Sequence, residues 1–248
     1  MNKQIHISKN LICPLNNLIQ KEGIEEYIRD YYASINGYLK ILYSTDDFYI
    51  AEDTTYQPWI SIMGNFPSDL TKQGLYDMIA PYITNNKYIA AYTNDKQVSE
   101  ILSLFDIFTY HEDFWVGCMT SVSHIDGSNI NLATKADLPY IEKTYRRSGH
   151  TQLKNRIDKN QMWVMKDYDG IIGYIGIHKD CSLGFEYVAP RARRQGIATK
   201  LQNYVAWQMM KNNMIPYVMI SLENKTAMNF QENMGTTISE KLFYFYAK

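Results

Sequence analysis

Two stretches of the chain read alike at a fixed distance. Lys87-Tyr88-Ile89-Ala90-Ala91-Tyr92-Thr93-Asn94-Asp95-Lys96 lies over Pro216-Tyr217-Val218-Met219-Ile220-Ser221-Leu222-Glu223-Asn224-Lys225 with no gap. The same offset pairs Ile101 with Phe230, Phe105 with Met234 and Phe114 with Phe243. Each copy predicts a strand, a short polar turn, a helix and an aromatic strand. A repeat of this kind implies one folding unit built twice. A chain of 248 residues has room for two small domains. The polar stretch 121–128 is the expected boundary, which gives domains 1–125 and 126–248.

The periodicities predict mixed α/β structure in both halves. In the first, a helical region covers 14–35, with Ile24, Tyr27, Ile28 and Tyr31 on one face. Strands are expected at 39–43, 48–52 and 59–63, a helix at 70–83, and then the repeated unit. In the second, a strand at 130–133 precedes a helix that Thr134 or Asp137 can cap. Strands at 163–166 and 171–178 flank Asp167-Tyr168-Asp169-Gly170, which has the turn chemistry of a hairpin tip. A strand at 182–188, a helix at 196–212, a strand at 217–222, a helix at 225–233 and strand at 238–246 follow. The early runs of antiparallel strands imply a mixed, mostly antiparallel central sheet flanked by helices.

Composition narrows the function. Hydrophobic residues make up 46% and charged residues 21%, enough for a real core. The formal net charge of −1 argues against a nucleic-acid partner, which usually needs a basic excess. No apolar run approaches the roughly 18 residues of a membrane span, so no membrane partner is expected. Met1-Asn2-Lys3-Gln4-Ile5-His6 lacks the apolar core of a signal peptide. Cys13, Cys118 and Cys181 are odd in number and in no metal pattern. They read as buried thiols of a cytoplasmic protein with no metal. The 21 tyrosines fit the composition of an AT-rich genome better than any shared role.

The chemistry is concentrated in Val188-Ala189-Pro190-Arg191-Ala192-Arg193-Arg194-Gln195-Gly196-Ile197-Ala198-Thr199-Lys200-Leu201, which joins a strand to a helix through a basic turn. Small Gly196 and Ala198 let an anion approach the backbone. The first helical turn offers unpaired N–H groups and the positive end of its dipole. Arg191, Arg193 and Arg194 add charge. The segment therefore reads as a pyrophosphate cradle, although the P-loop and dinucleotide fingerprints are both absent.

These residues resemble the GNAT acyltransferase superfamily, whose [Q/R]-x-x-G-x-[G/A] signature is matched by Arg193-Arg194-Gln195-Gly196-Ile197-Ala198. Val188-x-Pro190 and Asn224-Lys225-Thr226-Ala227-Met228-Asn229-Phe230-Gln231-Glu232-Asn233-Met234-Gly235 are similar to flanking segments of that family. His178-Lys179-Asp180-Cys181-Ser182-Leu183-Gly184-Phe185-Glu186 looks like its glycine N-acyltransferase-like branch, as does Ile215-Pro216-Tyr217-Val218. The resemblance covers about 128–248. It implies a catalytic GNAT-like fold at 126–248, with a degenerate copy at 1–125. The implied reaction is acyl transfer, acetyl above all, from acetyl-CoA to an amine of a small molecule or peptide, by a monomer or homodimer. It implies CoA contacts at Arg193, Arg194, Gln195, Gly196, Ile197, Ala198 and Thr199. It also implies them at Val188, through strand-edge groups that could polarise the thioester carbonyl, and at Asn224, which could equally be a plain helix cap.

The acceptor amine must lose a proton. Glu186 lies two residues before Val188, on the same face of a strand, and is the first candidate base. A solvated or salt-bridged strand glutamate is the plain alternative. His178, at the end of the neighbouring strand, is the second candidate. Gln231 stands where the family often has a tyrosine able to protonate the leaving thiolate, and glutamine cannot act as an acid. In the first half the matching junction, 63–70, has no basic residue and carries Asp69, so no CoA is expected there. A CoA-binding sensor without turnover is the competing expectation. An aminoacyl-tRNA-dependent transferase is a more distant one.

Overall fold

The computed structural model describes residues 12–83, 87–122 and 124–248; the N-terminal hexapeptide and Ser123 of the boundary stretch lie outside them. The elements in chain order begin with α1 (Cys13–Glu22), α2 (Ile28–Ile35), β1 (Leu39–Ser44), β2 (Phe48–Asp53), β3 (Trp59–Gly64), α3 (Lys72–Ile83), β4 (Ala90–Thr93), α4 (Lys96–Leu102) and β5 (Thr109–Cys118). Then come β6 (Ile130–Leu132), α5 (Leu138–Thr144), α6 (His150–Asp158), β7 (Met162–Asp167), β8 (Gly170–Ile177) and β9 (Leu183–Val188). The last are α7 (Ile197–Lys211), β10 (Tyr217–Ser221), α8 (Lys225–Asn233), β11 (Thr237–Ile238) and β12 (Phe243–Ala247). Two helices, a three-strand meander, a helix, a strand, a helix and closing strand thus occur twice, the second time after β6.

One expected helix is two. Gly23, with φ of 106°, ends α1, and the chain turns before Ile28 starts α2. A side chain is rarely tolerated at that φ, so the glycine sets the break.

The chain forms two compact units, Met1–Cys118 together with Met219–Lys248, and Met119–Val218. Their limits differ from the 125/126 boundary expected from sequence. In the first unit, β1, β2 and β3 form an antiparallel meander. β3 then runs parallel to β4 over four residue pairs, from Trp59↔Ala90 to Ile62↔Thr93. β12 lies antiparallel between β4 and β5. In that register Phe243 faces Phe114, two positions that the repeat equates. The last strand of the second copy therefore completes the sheet of the first unit, which is why residues 219–248 group with it. Ile50, Ile60, Ile62, Leu75, Ile79, Val98 and Ile101 fill the core on the α3–α4 face.

In the second unit β6, β7, β8 and β9 form an antiparallel sheet. Leu153, Ile157, Met162, Val164, Tyr174 and Phe185 build a core beneath α5 and α6. Gly173 of β8 takes Ile197 and Leu201 of α7 so closely that a β-carbon would stand 2.9 and 3.0 Å from them. That close approach seats α7 on the sheet. Tandem-like order and a mostly antiparallel sheet flanked by helices are the fold class expected.

Candidate active site

The strand β9 departs from regularity at one residue. Tyr174 pairs with Tyr187 and Gly176 with Gly184, so β9 spends one residue more than β8 between the same points. Phe185 is that residue's neighbourhood, with φ of 51°. A bulge of this kind bends a strand and re-aims the side chains beside it. Phe185 and Tyr187 pack with the α5–α6 core. Glu186 and Val188 take the alternate side.

Glu186 keeps partial exposure as a residue. Its carboxyl lies deep enough that burial alone pushes its pKa up to about 7. Among the described residues no hydrogen bond or ion pair meets it. It is therefore not the salt-bridged glutamate of the plain reading. A carboxyl that titrates near neutrality can take a proton from an amine and return it to solvent.

His178 follows β8 directly and stacks on Phe185, with ring centroids 3.9 Å apart. Gly184 makes this possible, since a β-carbon there would stand 2.1 Å from the His178 Nε2. Burial holds its pKa down, opposed by Asp180 and reinforced by Arg156. The imidazole is neutral and stacked, on the Phe185 side rather than beside Glu186.

Val188 pairs with Gly173, while the next N–H, that of Ala189, donates to the carbonyl of Ile172 at 2.9 Å. In an antiparallel ladder this makes Val188 and Gly173 a non-hydrogen-bonded pair. The N–H and carbonyl of Val188 thus point away from β8. Beyond Leu183, which pairs with Val218, β9 has no described strand partner on that edge. Arg193 Nε donates to the Val188 carbonyl at 3.3 Å, leaving the N–H open.

A 3₁₀ turn at Pro190–Ala192 carries the chain to the loop. Arg194 has φ of 63° and Gly196 φ of 76°, and Gly196 caps α7 with no side-chain hydrogen bond. Among the described residues, none of the backbone N–H groups of residues 194–199 donates to a protein acceptor. A β-carbon at Gly196 would meet nothing within 4 Å, so the space before these groups is open. Six orphan donors at a helix start have the arrangement that suits an anion. The charge differs in detail from expectation. Arg191 is bound by both its terminal nitrogens to Asp167 and is not available. Gln195 turns back to the Arg191 carbonyl at 3.2 Å. Arg193, Arg194 and Thr199 are exposed.

Residues 131–244 match the family model of the acetyltransferase (GNAT) domain. No curated protein is significantly similar to the chain. Solved structures are similar in fold. A Drosophila protein is 12% identical, with a TM-score of 0.68, over 95% of this chain and 94% of its own. A GNAT-family acetyltransferase from Colwellia psychrerythraea is 14% identical, with a TM-score of 0.53, over 94% of this chain and 97% of its own. A GCN5-related N-acetyltransferase from Kribbella flavida is 7% identical, with a TM-score of 0.56, over 91% of this chain and 95% of its own.

The matched segment contains only the second of the two strand-to-helix junctions. In the first unit the N–H groups at the end of β3 are taken. Gly64 donates to Asn94 Oδ1 at 3.0 Å and Asn65 to the Asp47 carbonyl at 2.7 Å. Phe66 donates to Asp95 Oδ2 at 3.4 Å, and Thr71 Oγ1 caps α3 through Gly74. At the start of α3 the Leu70 N–H is also taken, by the Pro67 carbonyl at 3.3 Å, and residues 63–70 carry Asp69 and no basic residue.

Two other expected residues have structural partners. Asn224 caps α8 by accepting from the Ala227 N–H at 3.0 Å, its plain alternative role. Gln231 is buried, and its Oε1 accepts from Thr236 Oγ1 at 2.9 Å. The thiols are not uniformly buried as expected: Cys13, at the start of α1, is exposed and Cys181 is half-buried. Among the described residues no group of three or more His, Cys, Asp or Glu could hold a metal ion. No helix among them is long and apolar enough to cross a membrane.

One signal was missed in the sequence. Residues 119–218 hold fourteen Lys+Arg against eight Asp+Glu, a net of +6, while the rest of the chain holds eleven against eighteen, a net of −7. The near-zero total conceals a cationic unit around the loop between β9 and α7, suited to an anionic ligand.

Proposed function

We propose that the chain is an acyl-CoA-dependent N-acyltransferase that moves acetyl from acetyl-CoA to an amine of a small molecule or peptide by direct attack. The observation that carries this reading is the pairing of two features on β9 and its loop. Six orphan N–H groups at residues 194–199 suit a pyrophosphate. Glu186, two residues before Val188, is an unpaired carboxyl that titrates near neutrality.

In this reading the pyrophosphate sits on the N–H groups of Arg194, Gln195, Gly196, Ile197, Ala198 and Thr199. Arg193 and the Thr199 hydroxyl supplement them. The thioester arm lies along the open edge of β9, where the Val188 N–H donates to the thioester carbonyl oxygen. The acceptor nitrogen attacks the carbonyl carbon. A C–N bond forms, the C–S bond breaks and the amine's proton passes to Glu186, directly or through one water. The CoA thiolate takes its proton from solvent, because Gln231 has no proton to give. Asn224 keeps its capping role, with any contact to the CoA arm coming from the exposed face of that turn. His178 orders the Phe185 side and is the reserve base. Three unpaired cysteines suit a reducing, cytoplasmic setting.

The test is turnover of acetyl-CoA with a library of amines, read as free thiol. A chain that binds CoA and acetylates none of them is the sensor instead. The buried, hydrogen-bonded Gln231 favours that second reading, and the unpaired Glu186 opposes it.

A further inference from the structure

We infer that Asp167, at the tip of the β7–β8 hairpin, is a positioning residue for CoA. Through Arg191 it holds the loop after β9 in the shape that presents its N–H groups to the pyrophosphate. This rests on the acyltransferase reading, in which that loop binds CoA.

The loop has a shape that its own backbone does not favour. Arg194 has φ of 63° and Gly196 φ of 76°. A non-glycine residue in the left-handed region persists where its surroundings hold it there. Three contacts lie within the segment itself. The Ala192 N–H donates to the Ala189 carbonyl at 2.8 Å. Gln195 Nε2 donates to the Arg191 carbonyl at 3.2 Å, and Arg193 Nε to that of Val188 at 3.3 Å. These join the loop to itself or to the end of β9. Among the described residues, the one hydrogen-bonded anchor of residues 190–196 outside 188–200 is Asp167.

That anchor fixes direction as well as distance. Arg191 Nη2 donates to Asp167 Oδ1 at 2.9 Å and Nη1 donates to Oδ2, a two-pronged pair. Asp167 is itself held, since its Oδ1 also accepts from the Asp169 N–H at 2.9 Å inside the hairpin turn. Asp167 pairs with Gly170 where β7 meets β8, and Val188 of β9 pairs with Gly173. The hairpin tip and the loop therefore lie at one end of the sheet. The contacts run in series from there. Asp167 grips the Arg191 side chain, and the Arg191 carbonyl receives the side chain of Gln195. Gln195 is among the six residues whose N–H groups are open.

This arrangement ties up a cation beside an anion site. By charge alone, CoA would bind better with Asp167 removed and Arg191 free. Pre-organisation predicts the opposite, because a loop already in its bound shape loses less conformational freedom on binding. Both partners are partly exposed, and such pairs add little to stability. The effect belongs in CoA affinity rather than in the fold.

The experiment is calorimetric titration of CoA into the full chain, for the wild type, Asp167→Ala, Arg191→Ala and the double variant. Asp167→Ala should weaken CoA binding about 5- to 20-fold, although it removes a negative charge. Arg191→Ala should also weaken it. The double variant should lose no more than the larger single loss, because the two side chains make one contact. Melting temperatures should stay within about 4 °C of the wild type. By NMR relaxation, the backbone amides of Arg194, Gln195 and Gly196 in the CoA-free chain should be more mobile in Asp167→Ala, which a residue that only supports the fold would not produce. Should Asp167→Ala fail to fold, Asp167→Asn, which keeps the bond to the Asp169 N–H, takes its place with the same sign expected.

A variant at Asp167 that binds CoA as tightly as the wild type, or more tightly, overturns the inference. So do losses that multiply in the double variant. Weakened binding with unchanged amide mobility overturns it too, by assigning Asp167 to something other than the shape of the loop. Failure of the wild-type chain to bind CoA at all overturns the acyltransferase reading itself, and this inference with it.

Discussion

Glu186 sits where activity and stability pull in opposite directions. Its pKa is raised above that of an unfolded glutamate by burial alone, so the folded state binds the proton more tightly than the unfolded state does. The stability this gives is complete below the unfolded value of about 4.3 and is lost as pH rises through about 7. Catalysis needs the ionised form and should rise over the same upper range. Glu186→Gln keeps the size and removes the titration. Its turnover should fall by roughly 10²–10⁴, the usual worth of a positioned base, while CoA affinity stays within a few-fold. The loss should shrink at high pH, where more of the amine is already deprotonated. Its Tm should exceed that of the wild type at pH 8 and match it near pH 4.5, because only the ionised carboxylate is costly to bury. Turnover close to wild type at neutral pH would remove Glu186 from the mechanism and leave His178 or water. An unchanged Tm difference across that range would show that the carboxyl is not held in the environment described.

At the scale of elements, the loop between β9 and α7 carries the clearest test. Gly196 has a left-handed backbone but open space before it, so a side chain there would enter that space and not the fold. Gly196→Glu should abolish CoA binding by calorimetry while circular dichroism stays native. Gly196→Ala should cost about 1 kcal/mol of stability from the φ penalty and weaken binding far less. The wild-type titration should saturate at one CoA per chain, since the first unit's junction at residues 63–70 has no basic residue and carries Asp69. A stoichiometry of two would contradict that assignment. Most of this loop was legible in the sequence. Small residues, basic residues and a strand-to-helix change are local features, and α8 spans the predicted 225–233. The bulge was not legible, because Phe185 carries no glycine or proline to mark its positive φ. Nor was the loss of Arg191 to Asp167, which needs a partner 24 residues away brought close by the β7–β8 hairpin. The break in the first helix was readable from Gly23, but the apolar stripe continuing to Tyr31 masks it.

The whole molecule hides its most consequential contact from any reading of the chain in order. The repeat suggests two halves, each with its own sheet. Yet β12, at the C-terminal end, lies between β4 and β5 of the first unit. Phe243 and Tyr246 are buried there, and the Tyr246 hydroxyl donates to the Ser99 carbonyl at 2.9 Å. The turn leading to β12 is fastened as well. Buried Glu26 accepts from the N–H groups of Glu240 at 2.6 Å and Lys241 at 3.2 Å, and Lys241 Nζ binds Glu22 at 2.6 Å. The same unit contains a buried polar knot in which Arg29 pairs with Asp53 at 2.7 Å, and Asp30 accepts from Tyr49 and Ser61 at 2.5 Å each. Removing one member of such a pair strands the other, so Arg29→Ala should cost about 3–5 kcal/mol in urea unfolding. Deletion of residues 236–248 should cost more. Each large apolar side chain withdrawn from a core removes about 1.5–3 kcal/mol, and the ladder on both sides of β12 goes with it. Against a total of about 5–15 kcal/mol for a domain, that sum is enough to unfold the unit. Far-UV circular dichroism should report lost sheet, and a synthetic peptide of residues 236–248 should restore it by pairing with β4 and β5. A truncated chain that unfolds cooperatively at the wild-type midpoint would mean that the first unit closes its sheet without β12.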